Sequence, residues 1–64
     1  MAKIGDIKEM FNGIEGFQII EDDSGNIQDV ILPPTCKILS KSIVDGVLHI
    51  IQFRKDDALY TYVN

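Results

Sequence analysis

The dipeptide Asp45-Gly46 constrains this chain more than any other pair of residues in it. It lies between two runs rich in β-branched residues, CKILSKSIV before it and VLHIIQF after it. A two-residue hairpin loop of type I′ needs positive φ at both central positions, which Gly adopts freely and Asp tolerates. The dipeptide therefore predicts a tight hairpin with Val44 opposite Val47, Ser42 opposite His49, Ser40 opposite Ile51 and Ile38 opposite Phe53. A second two-residue loop at Asp56-Asp57 adds a third strand, placing Phe53 opposite Tyr60 and Ile51 opposite Tyr62.

That register sorts the side chains into two faces, and a slip of one residue would exchange them. One face carries Ile38, Ser40, Ser42, Val44, Val47, His49, Ile51, Phe53, Tyr60 and Tyr62. The other carries Lys37, Leu39, Lys41, Ile43, Leu48, Ile50, Gln52, Arg54, Leu59, Thr61 and Val63. Neither is plainly polar, whereas a half-exposed antiparallel sheet alternates apolar and polar residues cleanly. Two partly apolar faces imply a sheet that curls toward closure, or one with a helix on one side and a partner on the other. The helix is expected on the Phe53 face, leaving the aliphatic face for the first hairpin or for a partner chain.

Upstream, Ile4, Ile7, Phe11 and Ile14 recur at helical spacing. Asp6 and Glu9 have the spacing of a capping box, which makes Asp6 the expected N-cap. Asn12-Gly13 is the expected stop, with Gly in the left-handed position after the helix. A helix of about two turns falls below the roughly 12–15 residues that an isolated helix needs, so it must pack on the sheet. Phe17–Asp22 and Ile27–Leu32 read as a first hairpin around Asp23-Ser24-Gly25-Asn26, with Phe17 opposite Leu32 and Ile19 opposite Val30. Pro33-Pro34 ends its second strand, since neither proline has an N–H for a ladder. We read the pair as a corner, because neither half of the chain is large enough to fold alone.

The expected fold class is α+β: a short N-terminal helix followed by a four- to five-stranded antiparallel meander, curled or barrel-like, in one domain spanning residues 1–64. This order of elements resembles the layout of Sm-like and other SH3-like small barrels. The resemblance is one of layout, and no site residues are carried over from it.

A chain of 64 residues buries only about 60% of the surface its unfolded form exposes. One cysteine and one histidine exclude an internal disulfide and a Cys/His zinc site. Stability must come from an efficient core or from association. The lone thiol fits a reducing, cytoplasmic setting, no apolar run approaches a membrane span, and MAKIGDIKEM lacks the apolar region of a signal peptide. Net charge is −4 and uneven. Residues 1–32 carry two lysines against seven carboxylates, and residues 33–64 carry four cations against three carboxylates. An acidic total disfavours general attraction to a phosphate backbone, although a local basic patch in the second half is compatible with it.

The groups that suggest chemistry also have plain readings. Asp22-Asp23-Ser24-Gly25-Asn26 is rich in oxygen ligands, but Gly25 comes too early for an EF-hand loop and no Glu follows at the required distance. These are also the ordinary residues of hairpin loops. His49 faces Ser42 in the expected register with no carboxylate on that face to orient it, so a structural histidine is expected. Cys36 reads as a small hydrophobe. Acidic loop ends at Glu21, Asp22, Asp23, Asp56 and Asp57 read as solubilising charge. No phosphate-binding glycine loop or paired catalytic carboxylates are present, so neither a catalytic role nor a cofactor or metal is expected.

Two functions are compatible with this reading. The first is a small intracellular module that binds a protein partner or itself, as a dimer or higher oligomer, through Leu39, Lys41, Ile43, Leu48, Ile50, Arg54 and Leu59. The second is a single-stranded nucleic-acid-binding surface built from Lys37, Lys41, Arg54, Tyr60 and Tyr62, with bases stacked on the tyrosines. The register weakens the second, because it sets Lys37, Lys41 and Arg54 on the face opposite the tyrosines.

Overall fold

The computed structural model describes residues 3–64. Its elements are α1 (Ile4–Met10), β1 (Gln18–Glu21), β2 (Ile27–Ile31), β3 (Lys37–Val44), β4 (Val47–Lys55) and β5 (Ala58–Val63). All strand pairs are antiparallel and lie in two sheets, β1-β2 and β3-β4-β5. The α+β class and the five antiparallel strands follow the sequence reading, but the expected single meander is divided, because the Pro33-Pro34 corner leaves β2 and β3 unpaired. The strands do not close into a barrel, so the resemblance to small barrels stops at element order.

The helix begins one turn earlier than its capping signal suggested. Lys3, not Asp6, is the N-cap residue. Asp6 sits in the first turn, where its carboxylate accepts a hydrogen bond from the Lys3 backbone N–H at 3.0 Å. This still satisfies an exposed donor next to the positive end of the helix. The early start brings Ile4 against the core alongside the fully buried Ile7 and Phe11. Gly13 takes the left-handed conformation at φ 77°, and the Ile14 N–H reaches the Phe11 carbonyl at 2.9 Å to finish the turn. Ile14 therefore leaves the helical face and is exposed.

In the first hairpin, Ile19 opposes Val30 as the sequence predicts. The loop is organised by Asp22. One of its carboxylate oxygens accepts from the Ser24 N–H at 2.9 Å and the Asn26 N–H at 2.8 Å, while the other accepts from the Asn26 side-chain amide at 3.1 Å. These bonds, the Asn26 backbone N–H first among their effects, hold the Asp22 carboxyl below the usual carboxylate range. At the corner, the Cys36 N–H bonds the Pro33 carbonyl at 3.0 Å, turning the chain directly into β3.

Asp45 and Gly46 have φ of 52° and 76°, as a type I′ loop requires. Val44 opposes Val47 and Ile38 opposes Phe53, both as predicted. Between those points the expected register fails. Ser42 pairs with Ile50 rather than His49, Lys41 with Ile51, and Ser40 with Gln52, because two bulges interrupt the ladder. His49 is the extra residue on β4 and Leu39 the extra residue on β3, so the second bulge restores what the first displaced. The physical consequence is a change of face within β4: Leu48, Ile51 and Phe53 all become fully buried. Strict alternation would have put Leu48 on the opposite side from Ile51 and Phe53. The β4–β5 register holds as predicted, with Phe53 opposite Tyr60 and Ile51 opposite Tyr62.

The core is one cluster of Ile7, Phe11, Val30, Leu48, Ile51, Phe53 and Tyr62, with Phe17, Cys36 and Tyr60 packed at its margin. Phe11 stacks on Phe17 at 5.0 Å between ring centroids and lies 5.9 Å from Phe53. Both α1 and the first hairpin thus cover the Phe53 face of the larger sheet, β2 packing on β4. The opposite face of that sheet is left uncovered.

Candidate interaction surface

The uncovered face can be read in rows across the ladders, because directly paired residues share a face. Val44 and Val47 form the row next to the Asp45-Gly46 loop. Ser42, Ile50 and Val63 follow, then Ser40, Gln52 and Thr61, and finally Lys37, Arg54 and Leu59. The third row is tied internally, the Gln52 amide donating to the Thr61 hydroxyl at 3.3 Å. One end of the face is therefore aliphatic, its middle polar, and its far end cationic.

The edge strand β3 is the most exposed element of the sheet. Ile38, Leu39, Ile43 and Val44 are 43%, 43%, 47% and 53% exposed, and Leu59 on the other edge is 54% exposed. Only Ser42 within β3 is partly buried. Lys41 leans to the covered face, where its ammonium meets the Asp29 carboxylate at 2.9 Å. Lys37 and Arg54 stand opposite each other across the β3–β4 ladder, and neither joins an ion pair among the described residues.

The residues expected to bind a partner are therefore divided. Leu59, Arg54 and the half-buried Ile50 lie on the uncovered face, while Leu39 and Ile43 lie exposed along the β3 edge. Lys41 is engaged with Asp29, and Leu48 belongs to the core. Ile38 and Val44, 43% and 53% exposed, lie in the same strand and are not in the expected set. Their signal was present: in a meander the first of three strands is an edge, and an edge strand keeps one side open.

Among the residues considered for nucleic acid, Lys37 and Arg54 are exposed on the uncovered face. Tyr60 stacks on Phe53 at 5.4 Å with rings 23° apart, and Tyr62 is 7% exposed. The tyrosines thus point into the core side, away from that cation pair. His49 is exposed at its bulge, with its backbone carbonyl accepting from the Asn64 N–H at 2.9 Å. Cys36 is half-buried at the margin of the core. Among the described residues, no helix is long and apolar enough to cross a membrane, and no group of three or more His, Cys, Asp or Glu is placed to hold a metal ion.

No family model matches the chain, and neither curated proteins nor solved structures give a significant match.

Proposed function

We propose that this protein is a small protein-binding or regulatory module without catalytic activity, working through the uncovered face and open edge of its larger sheet. The observation that carries this reading is the exposure of four large aliphatic side chains along β3. They lie beside a sheet face whose apolar end no other element covers. Exposed contiguous apolar surface with a polar surround is the usual mark of an interaction site. The unpaired thiol of Cys36 supports a reducing compartment. Affinity capture from the native host, comparing the wild-type chain with Leu59→Glu, tests the reading. A partner held by the wild type and lost from a folded Leu59→Glu variant supports it. Identical captures by both overturn binding through the uncovered face.

The cation pair Lys37–Arg54 gives a second reading, binding of single-stranded nucleic acid. That reading predicts a fluorescence-anisotropy change with single-stranded oligonucleotides that falls as salt rises. The absence of any change at low salt removes it.

A further inference from the structure

Two independent features of β3 point to the occupant of its open edge. The first is its order of residues. From Lys37 to Asp45 the chain reads KILSKSIVD, which is nearly a chemical palindrome about Lys41. A serine flanks Lys41 on each side, two aliphatic residues come next on each side, and the ends carry opposite charges. When two identical strands pair antiparallel across a two-fold axis, each residue meets the one equally far beyond the axis. Pairing about Lys41 sets Ser40 against Ser42, Leu39 against Ile43, and Lys37 against Asp45.

The second feature is electrostatic. Like charges directly opposite each other in a sheet are destabilising, yet Lys37 faces Arg54 with no carboxylate answering either among the described residues. Asp45 likewise joins no ion pair among the described residues. We propose that two copies of this chain join antiparallel through their β3 edges, with Asp45 of each copy answering the Lys37–Arg54 pair of the other. The product is one continuous sheet with three strands from each copy. The inference rests on reading the exposed sheet surface as an interaction surface.

The lysines that meet on the axis do not oppose this arrangement, because each Lys41 is already paired with Asp29 of its own chain at 2.9 Å. The bulge at Leu39 confines regular pairing to the middle of the strand, leaving the long Lys37 side chain to reach the partner's loop. A long apolar edge left open is a template for uncontrolled pairing, which natural proteins block or cover. A two-fold contact covers both edges at once and closes, so assembly stops at the dimer.

Sedimentation equilibrium of the full chain tests the proposal. A reversible monomer–dimer equilibrium at micromolar concentrations is expected, weakening with salt because its end contacts are ionic. Asp45→Asn keeps a residue that tolerates positive φ in the loop and is expected to weaken the dimer about tenfold, since an ion pair is lost at each end. Leu39→Lys is expected to abolish the dimer while the circular dichroism spectrum is retained. In a Cys36→Ser background, the pair Ser40→Cys and Ser42→Cys should cross-link two chains on mild oxidation. A chain that stays monomeric up to hundreds of micromolar overturns the proposal. So does a dimer that survives Leu39→Lys and does not cross-link. A monomer that still loses a captured partner through Leu59→Glu overturns self-pairing alone. A β3 dimer whose captures are indifferent to Leu59→Glu overturns only the wider reading of the uncovered face.

Discussion

β3 and β4 are neighbours of similar length and similar aliphatic content, yet their fates differ. Leu48, Ile51 and Phe53 of β4 are fully buried, whereas Ile38, Leu39, Ile43 and Val44 of β3 stay largely open. The difference does not lie in hydrophobicity. It lies in position: β4 has a strand on each side and both Ile7 of α1 and β2 packed on its inner face, while β3 has a free edge. An aliphatic residue is stabilising in proportion to the area it loses from water, and β3 loses little within one chain. The same residue type thus serves as core in one strand and as available surface in the next.

The comparison breaks most sharply by truncation. Phe53→Ala should cost about 3–5 kcal/mol and Leu48→Ala about 2–5 kcal/mol, whereas Ile43→Ala in β3 should cost under about 1 kcal/mol in the monomer. Denaturant unfolding at low protein concentration measures all three. Equal losses at Leu48 and Ile43 would mean that β3 is covered. A smaller effect is expected at the loop that joins the two strands. Gly46→Ala forces an alanine into φ 76° and should cost about 1–2 kcal/mol, read as a lower unfolding midpoint.

The next effect concerns the link between β3 and the layer beneath it. Lys41→Met removes the partner of Asp29, leaving a partly buried carboxylate, and should cost about 1 kcal/mol. A double-mutant cycle with Asp29→Asn isolates the pair. Asp56→Gly, at φ 56° in the β4–β5 loop, should gain about 0.5 kcal/mol by relieving a left-handed aspartate.

The smallest effect is a pH dependence in the loop between β1 and β2. The Asp22 carboxyl is held below its ordinary range by the loop N–H groups, so its folded-state pKa lies under its unfolded one. Its contribution is therefore fully present above the unfolded value, about 3.9, and is lost as pH falls through the lower folded value. Wild type should lose more stability than Asp22→Ala between neutral pH and the acid side of that window. Parallel pH profiles would show that the loop bonds do not favour the ionised form.

Several features were legible because they depend on local chemistry. Asp45-Gly46 marked its loop, Asn12-Gly13 the helix stop, and the positions of Ile7 and Phe11 the buried side of α1. The β4–β5 register was legible too, since a two-residue loop fixes it. The capping of α1 was misplaced by one turn because the carboxylate of Asp6 serves a backbone donor equally well from inside the first turn. The faces of β3 and β4 were misassigned between Leu39 and His49, because a pair of bulges leaves both ends of the ladder in the expected register. Leu48 moved from the supposed binding surface into the core for that reason alone.

The sequence by itself determined where the chain turns, because positive φ and missing N–H groups are properties of Gly, Asp and Pro wherever they stand. It also determined that the strands would carry more aliphatic surface than one exposed face requires. Only the tertiary structure decided which part of that surface is core. Bulges form when packing of Leu48, Ile51 and Phe53 against Phe11 and Val30 outweighs a few lost ladder bonds, and no local residue pattern encodes that balance. It also decided that the turn's outcome is asymmetric: one strand of the hairpin is sealed in the molecule and the other is left on its edge.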